Sequence, residues 1–266
     1  IGNSKNIIKY KNFFVDSNLL NEISWLSSIN EKTDIIKNAK IICEIGSGFG
    51  SLTSKIKKNN QFSKYILIDL PESNILSSFY LSKLFPKSVF LLNGINDINN
   101  QDLEDIDFII LNPNTNFNNL SVDLFINTRS MQEMNLKNIA KYFNLVQKNI
   151  SNNGYLININ AYSKSTVGET VNLSEYNYDK NWNVIISDPT YLQDHIHLLV
   201  TKRDYKISNI FDELNNIREL EKKIVTKYPV MLLRKAKILK YNKLKLLFIY
   251  LIYYYKLFII KLFKKK

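Results

Sequence analysis

The sequence predicts an α/β fold: a doubly wound, mostly parallel sheet with a terminal antiparallel hairpin and a helical, basic C-terminal tail. Three observations predict this fold class. Short apolar runs alternate with segments of helical periodicity, a glycine-rich turn follows the first run, and two alternating segments flank Asp188-Pro189 late in the chain. With 266 residues the chain is long enough for one such domain and its appendages.

The elements follow from these patterns in chain order. Helices are expected before the domain core at 18–28 and 33–38, and crossover helices at 51–58, 72–84 and 136–150. Parallel strands are expected at 40–45, 65–69, 89–92, 122–127 and 154–160, and hairpin strands at 182–187 and 195–202. The apolar run 108–111 is either an extra edge strand or the end of a loop. The predicted units are an N-terminal helical segment (1–39), a domain (40–203) and a basic tail (204–266).

The glycine-rich turn is the most informative motif. Ile41–Gly50 reads IICEIGSGFG, with glycines at 46, 48 and 50, one residue tighter than the dinucleotide fingerprint G-x-G-x-x-G. Glycine permits a sharp turn and a close approach of the backbone to a ligand. Asp69 ends the next apolar run, where it is placed to accept hydrogen bonds from two ribose hydroxyls. The layout predicts a nucleotide-type pocket at the carboxyl edge of the sheet.

Glu44 helps to choose between the cofactors that fit such a pocket. It lies two residues before Gly46, where a carboxylate would repel the diphosphate of NAD and suit a ligand with an ammonium or sulfonium group. S-adenosyl-L-methionine (SAM) carries both groups and no phosphate, so we expect SAM. NAD, or an ordinary strand-turn-helix with solvent-facing acids, are the alternatives. The predicted cofactor-binding residues are Glu44, Gly46, Ser47, Gly48, Gly50, Asp69, Leu70 and Asn127.

Three further segments carry a resemblance to a known family. Tyr65–Pro86 reads YILIDLPESNILSSFYLSKLFP, Asp123–Met134 reads DLFINTRSMQEM, and Glu175–Val184 reads EYNYDKNWNV. These segments resemble the sugar O-methyltransferases among the class I SAM-dependent enzymes, over roughly residues 22–203. The resemblance implies a Rossmann-like methyltransferase fold and methylation of a sugar. The chain departs from the family's Asn-Arg pair near the end of the fifth strand, because Ala161 follows Asn160.

Methyl transfer to an unactivated hydroxyl calls for a base or a metal. Glu133 is the leading candidate for the base, because it follows the fourth predicted strand at the ligand edge. The alternative is an acid that only favours the start of the next helix. His195 could serve as the base instead. The His195-x-His197 spacing could also ligate a metal, although a structural pair is favoured and no metal is expected.

Asp179 is the third candidate for the base. Three aromatic residues surround it in sequence, and aromatic faces suit the CH surfaces of sugars: Tyr162, Tyr178 and Trp182. Packing in the core is the alternative for each of them.

The charge distribution limits the classes of molecule that the chain could bind. Residues 1–201 carry a net charge of −1 and residues 202–266 carry +13. A neutral domain argues against a nucleic acid substrate. The single cysteine, Cys43, fits a reducing compartment.

The C-terminal tail is apolar, aromatic and basic. Its longest apolar run is Leu246–Tyr255, and only Lys256 and Lys261 interrupt the extension to Phe263. We expect it to anchor the chain at an anionic membrane surface, with bilayer spanning or packing on a protein as alternatives. The predicted location is cytoplasmic, peripheral at the inner face of the cell membrane.

Together these patterns predict a SAM-dependent O-methyltransferase that acts on a sugar or glycan, in cell-surface glycan (polysaccharide) biosynthesis. Two alternatives stand beside it: an NAD-dependent oxidoreductase acting on nucleotide sugars, and a catalytically inactive, membrane-bound scaffold with the methyltransferase fold.

Overall fold

The computed structural model describes residues 7–10, 13–92, 97–117, 119–165 and 168–222. The helices are α1 (Ser17–Lys32), α2 (Ile35–Asn38), α3 (Ser51–Asn59), α4 (Pro71–Leu84), α5 (Leu136–Asn149) and α6 (210–222). The strands are β1 (Ile7–Tyr10), β2 (Phe13–Asp16), β3 (Ile41–Ile45), β4 (Lys64–Ile68), β5 (Phe90–Leu92), β6 (Asp97–Ile98), β7 (Phe108–Leu111), β8 (Asn116–Phe117), β9 (Val122–Thr128), β10 (Ile150–Ala161), β11 (Ser163–Ser165), β12 (Thr170–Asn172), β13 (Trp182–Thr190) and β14 (Gln193–Arg203).

An eight-stranded sheet forms the centre, in the order β13-β14-β10-β9-β3-β4-β7-β5. Every neighbouring pair is parallel except the two pairs made by β14, which is antiparallel to both β10 and β13. The strand order reverses between β3 and β9, because the chain leaves β3 toward β4 and returns later to β9 on the other side. Such a switch point opens a crevice at the carboxyl ends of the strands. The predicted α/β fold and its terminal hairpin are confirmed.

The core lies between the sheet and its helices. On one face, apolar side chains of α1, α2 and α3 pack against the sheet in a continuous cluster that includes Trp25, Ile29 and Ile56. On α5 the buried side chains are Ile139, Tyr142, Phe143 and Val146, at the helical spacing that the sequence predicts. This two-sided burial leaves the strand ends as the place where polar side chains can gather.

Two details of the sheet differ from the expectations. The run 108–111 is an inner strand, since β7 lies between β4 and β5, and Phe90–Leu92 forms the edge instead. All of β7 is apolar and buried, as an inner parallel strand requires, and the ring of Phe90 stacks on Phe108 at 4.8 Å. Pro189 belongs to β13 rather than to the turn, and a proline is tolerated there because β13 is an edge strand.

The ends of the chain also differ from the predicted units. A β1–β2 hairpin precedes the helices within the N-terminal segment. The structure divides into the units Ile1–Ile217 and Arg218–Lys266, so residues 204–217 belong to the first unit. The apolar part of the predicted tail lies outside the described residues. Among the helices in the described ranges, none is both long and apolar enough to cross a bilayer.

Candidate active site

The glycine loop, residues 46–50, joins β3 to α3 at the switch point. All three glycines have positive φ angles, from 56° at Gly48 to 83° at Gly50. A Cβ atom on Gly46 would lie 2.0 Å from the Ser130 hydroxyl oxygen, so no side chain fits there. A Cβ atom on Gly48 would meet nothing within 4 Å. Gly46 is therefore a packing requirement, whereas Gly48 borders open space where a ligand could lie.

Asp69 joins this loop to the end of β4. Its Oδ2 accepts a hydrogen bond from the Gly48 backbone N–H at 2.6 Å, and its Oδ1 accepts one from the Leu70 N–H at 2.7 Å. The structure thus brings together three residues that the sequence assigned to the cofactor. The Leu70 side chain is 60% exposed at the start of α4. The carboxylate of Asp69 is half-buried and lies against the loop that borders the open space.

Glu44 is buried beside the same loop. Its Oε2 accepts a hydrogen bond from the Thr53 hydroxyl of α3. Burial, opposed by this hydrogen bond and aided by the carboxylates of Glu22 and Asp69, raises the pKa of Glu44 to about 8. Glu44 is therefore mostly neutral at pH 7. Glu22 itself is paired with Lys55 at 2.6 Å.

Ser47 has a buried hydroxyl with no hydrogen-bond partner among the described residues. The residue is only 6% exposed. A buried hydroxyl without a partner costs free energy, so native structures almost always satisfy it. The orphaned Ser47 hydroxyl therefore points to a polar group that the described part of the chain does not supply.

Asn127, at the end of β9, lies beneath the loop. Its side-chain N–H groups donate to the Ile45 carbonyl at 2.8 Å and to the Ser130 hydroxyl, and its Oδ1 accepts from Asn160 at 2.8 Å. The side chain is fully buried. The structure therefore gives Asn127 the role of bracing the loop, rather than facing the open space.

Asn127 is part of a buried amide network that the sequence reasoning missed. Asn160 donates to Asn158, and its Oδ1 accepts from the Gln132 backbone N–H at 3.2 Å. The Gln132 side chain accepts from the Ala161 N–H at 2.6 Å. The network ties the end of β10 to the turn after β9. Its signal was the alternation of asparagines with apolar residues in a strand that otherwise reads as core.

Glu133 lies at the carboxyl edge of the sheet, as predicted. It belongs to a short 3-10 helix, Met131–Glu133, and its carboxylate forms an ion pair with the Lys164 ammonium of β11. The two side chains are 49% and 35% exposed. Glu133 can therefore reach an acceptor at this edge, but it would have to leave the ion pair to take a proton.

The two histidines have different surroundings. The side chain of His195 is 32% exposed, and its backbone carbonyl accepts from the Tyr162 N–H at 3.2 Å, which places it at the same edge. His197 is fully buried between the Tyr162 hydroxyl at 2.7 Å and the Ser187 hydroxyl at 2.8 Å. Ser187 in turn donates to Glu213 of α6. Burial lowers the pKa of His197 to about 4.

The H-x-H spacing does not form a metal site in this structure. Both ring nitrogens of His197 are occupied by hydroxyl groups. Nowhere in the described ranges do three or more His, Cys, Asp or Glu side chains form a group that could hold a metal ion.

Asp179 lies away from the candidate site. Its Oδ1 accepts from the Arg203 guanidinium at 2.6 Å, and Arg203 ends β14, opposite the start of the paired part of β10. Because β14 is antiparallel to β10, that end is the amino edge of the parallel strands, roughly 20 Å from the carboxyl edge. The position argues against Asp179 as the base, since its carboxylate instead neutralises a buried arginine. The three aromatic side chains are likewise core residues, at most 5% exposed: Tyr162, Tyr178 and Trp182.

Comparisons with known proteins find similarity among solved structures. No protein-family model matches the sequence, and no curated protein matches it. Among solved structures, StiE O-MT is similar at a TM-score of 0.52 and 10% identity, over 76% of this chain and 80% of that chain. A SAM-dependent methyltransferase from Aquifex aeolicus follows at 0.47 and 14%, over 71% and 94%. The pyocyanin biosynthetic protein PhzM gives 0.46 and 12%, over 70% of this chain and 55% of that chain.

The likeness to StiE O-MT shows that the chain has the fold of class I SAM-dependent methyltransferases. The chain spans only about half the length of PhzM and of the mitomycin 7-O-methyltransferase MmcR, at 55% and 54%. The resemblance to a sugar-specific family stays a prediction.

Proposed function

We propose that this chain is a SAM-dependent O-methyltransferase that methylates a hydroxyl group of a sugar during the synthesis of a cell-surface glycan. The observation that carries the proposal is the convergence of Gly48, Asp69, Ser47 and Glu44 around one loop at the switch point of a methyltransferase-type sheet. The methyl donor supplies an electrophilic methyl group, and the protein must bind it and orient an acceptor beside it.

The residues around the loop fit this cofactor in chemical type. Asp69 would accept hydrogen bonds from the ribose hydroxyls, and the buried Ser47 hydroxyl would gain a partner, which the described residues do not give it. Glu44 would pair with the ammonium group, because a buried acid becomes ionised most readily when a cation enters beside it. An ionised carboxylate in this position would repel the diphosphate of NAD, the principal rival ligand, and the neutral acid would gain no ion pair from it, so the site favours the ligand with the cation.

The acceptor would lie at the edge formed by the ends of β9 and β10. Glu133 and His195 both lie there, and Glu133 remains our leading candidate for the base. The name of StiE O-MT, an O-methyltransferase, supports transfer to oxygen. The sugar specificity rests on the resemblance of three sequence segments to sugar O-methyltransferases.

Calorimetric titration with S-adenosylhomocysteine tests the cofactor. Asp69→Ala should weaken binding by about 1–3 kcal/mol through lost charged hydrogen bonds. Asp123→Ala is the matched control, because Asp123 also accepts from two backbone N–H groups, those of Lys40 and Ile41, but at the amino edge. The proposal fails if the protein ignores S-adenosylhomocysteine and instead quenches NADH fluorescence on binding it.

Transfer of a labelled methyl group from SAM to a panel of sugars and sugar phosphates tests the reaction. Glu133→Gln should retain cofactor affinity and lose about 10²–10⁴-fold in turnover, the range for a lost general base. Glu72→Gln is the control, because Glu72 is exposed in the first turn of α4. Full activity in Glu133→Gln would transfer the role to His195.

We further propose that the protein works at the cytoplasmic face of a membrane. The sequence of the tail supports this, and so does an apolar patch on α4, where the side chains of Ile75, Leu76 and Phe79 are 70%, 60% and 63% exposed. Full-length protein should co-sediment with anionic vesicles more than with neutral ones. A chain ending at Lys240 should bind cofactor and lose most of this sedimentation. Unchanged vesicle binding after truncation would remove the tail from the proposal.

A further inference from the structure

Three charged residues lie at the acceptor edge, and we call them the edge cluster: Arg129, Glu133 and Lys164. Arg129 directly follows β9, Glu133 lies in the 3-10 helix after it, and Lys164 lies in β11, just beyond the end of β10. The cluster thus joins the ends of the two strands that flank the proposed acceptor position, and it carries two cations for one carboxylate.

Arg129 is held in an unusual backbone conformation. Its φ angle is 62°, in the left-handed region that residues with a Cβ atom rarely adopt. Its N–H donates to the Ile159 carbonyl of β10 at 2.7 Å. Such strain persists only where the surrounding structure imposes it, and it is commonest at functional sites.

The guanidinium of Arg129 is exposed and has no carboxylate or carbonyl partner within the described part of the chain. The neighbouring ammonium, on Lys164, has only Glu133 as its ion-pair partner there. Partial burial, together with the nearby charge of Arg129, lowers the pKa of Lys164. The charge of Arg129 therefore disfavours the protonated form of Lys164.

The ion pair between Glu133 and Lys164 is open to exchange. Both side chains are at least one-third exposed, and ion pairs as exposed as this one contribute little to stability. An incoming oxyanion could therefore displace Glu133 at little cost. It would gain a fork of guanidinium N–H donors from Arg129, which suits phosphate and carboxylate groups, and a mobile ammonium from Lys164.

We propose that the edge cluster is a subsite for an oxyanion, a phosphate or carboxylate group carried by the sugar acceptor. Arg129 and Lys164 bind the anion. Until the acceptor arrives, the Glu133 carboxylate partly neutralises these two positive charges. The inference rests on the proposed function in taking this edge as the acceptor side. It adds that the acceptor is a sugar phosphate or an acidic sugar rather than a neutral one.

Substitutions in the edge cluster are expected to change the affinity for an anionic sugar in opposite directions. Arg129→Gln and Lys164→Gln each remove a cation and should weaken binding of glucose 1-phosphate about tenfold, the effect of losing about 1.4 kcal/mol. Glu133→Gln removes the competing carboxylate and should tighten the same binding severalfold. Lys148→Gln is the control, because it changes the net charge equally at an exposed position near the end of α5.

The experiment is a calorimetric titration of full-length protein with glucose 1-phosphate, glucuronate and glucose. Binding of glucose 1-phosphate assigns the anion to phosphate, preferred binding of glucuronate assigns it to carboxylate, and glucose should bind more weakly than either. The inference is overturned if neither anion binds more tightly than glucose, or if Arg129→Gln binds both as well as the wild type.

A parallel titration with S-adenosylhomocysteine separates this inference from the proposed function. Arg129→Gln should bind S-adenosylhomocysteine like the wild type, because the hydrogen bond that Arg129 makes among the described residues goes to Ile159 and not to the glycine loop. Anion binding without S-adenosylhomocysteine binding would refute the methyltransferase and leave the anion site standing.

Discussion

The protonation of Glu44 gives the sharpest test of the site. Its pKa rises from 4.5 to about 8 on folding, so the folded protein holds this proton more tightly than the unfolded chain does. The stabilisation is fully present below pH 4.5 and is lost as the pH rises toward 8. At 1.36 kcal/mol for each pH unit, the loss reaches about 5 kcal/mol as an upper bound.

Glu44→Gln removes this titration and keeps the shape of the side chain. The variant should match the wild type near pH 5 and exceed its free energy of unfolding by a few kcal/mol at pH 8. Urea unfolding can be followed through the fluorescence of two buried tryptophans, Trp25 and Trp182. The free energy of unfolding of Glu72→Gln should depend on pH as that of the wild type does. If that of Glu44→Gln does so too, the buried carboxyl group is not neutral and the reasoning is wrong.

The proton that Glu44 holds in the free protein should be released to the solvent when the cofactor binds. At pH 7 about nine-tenths of a group with a pKa near 8 is protonated, so pairing with an ammonium should release up to about 0.9 proton per ligand. Calorimetry in buffers of different ionisation enthalpy measures that release directly. Equal binding enthalpies in all buffers would show that Glu44 does not ionise against the ligand.

Three other changes have expected outcomes. Burial lowers the pKa of His197 to about 4, so the free energy of unfolding should fall by up to about 3 kcal/mol as the pH drops from 6.5 to 4. In His197→Gln, the free energy from urea unfolding should change less over this pH range. Gly46→Ala should destabilise the fold by several kcal/mol in the same assay, because its Cβ atom would overlap Ser130, whereas Gly48→Ala should cost only about 1–2 kcal/mol for its positive φ angle. Asp179→Asn should lower the melting temperature, because it leaves Arg203 buried beside a neutral side chain, without changing the affinity for S-adenosylhomocysteine.

The sequence was sufficient for the parts of the site whose geometry is local. Three glycines and an acid at the end of the next strand predict the loop and the placement of Asp69, since neighbouring parallel strands end at the same edge. The position of Phe108–Leu111 inside the sheet could have been read from its four consecutive apolar residues, which favour an inner parallel strand over an edge.

Other features depend on contacts that sequence order does not reveal. Asp179 and Arg203 meet only because β14 runs antiparallel to β10, and this direction reverses the edge at which a residue lies. The orphaned hydroxyl of Ser47 and the neutral state of Glu44 are properties of burial. The strain at Arg129 is a positive φ angle, which the presence of an arginine in the sequence does not predict.

The hydrogen bonds through His197 have a fixed direction. A carboxylate can only accept, so Glu213 forces the Ser187 hydroxyl to donate toward it. Ser187 then accepts from the Nε2–H of His197, which leaves Nδ1 to accept the Tyr162 hydroxyl proton. One charge on α6 thereby selects a single imidazole tautomer and orients every proton along a path that ends just beyond β10. An amide in place of the Glu213 carboxylate would remove this constraint. The two hydroxyl groups and the imidazole could then reverse their donor and acceptor roles together, and the series of hydrogen bonds would no longer have one fixed direction.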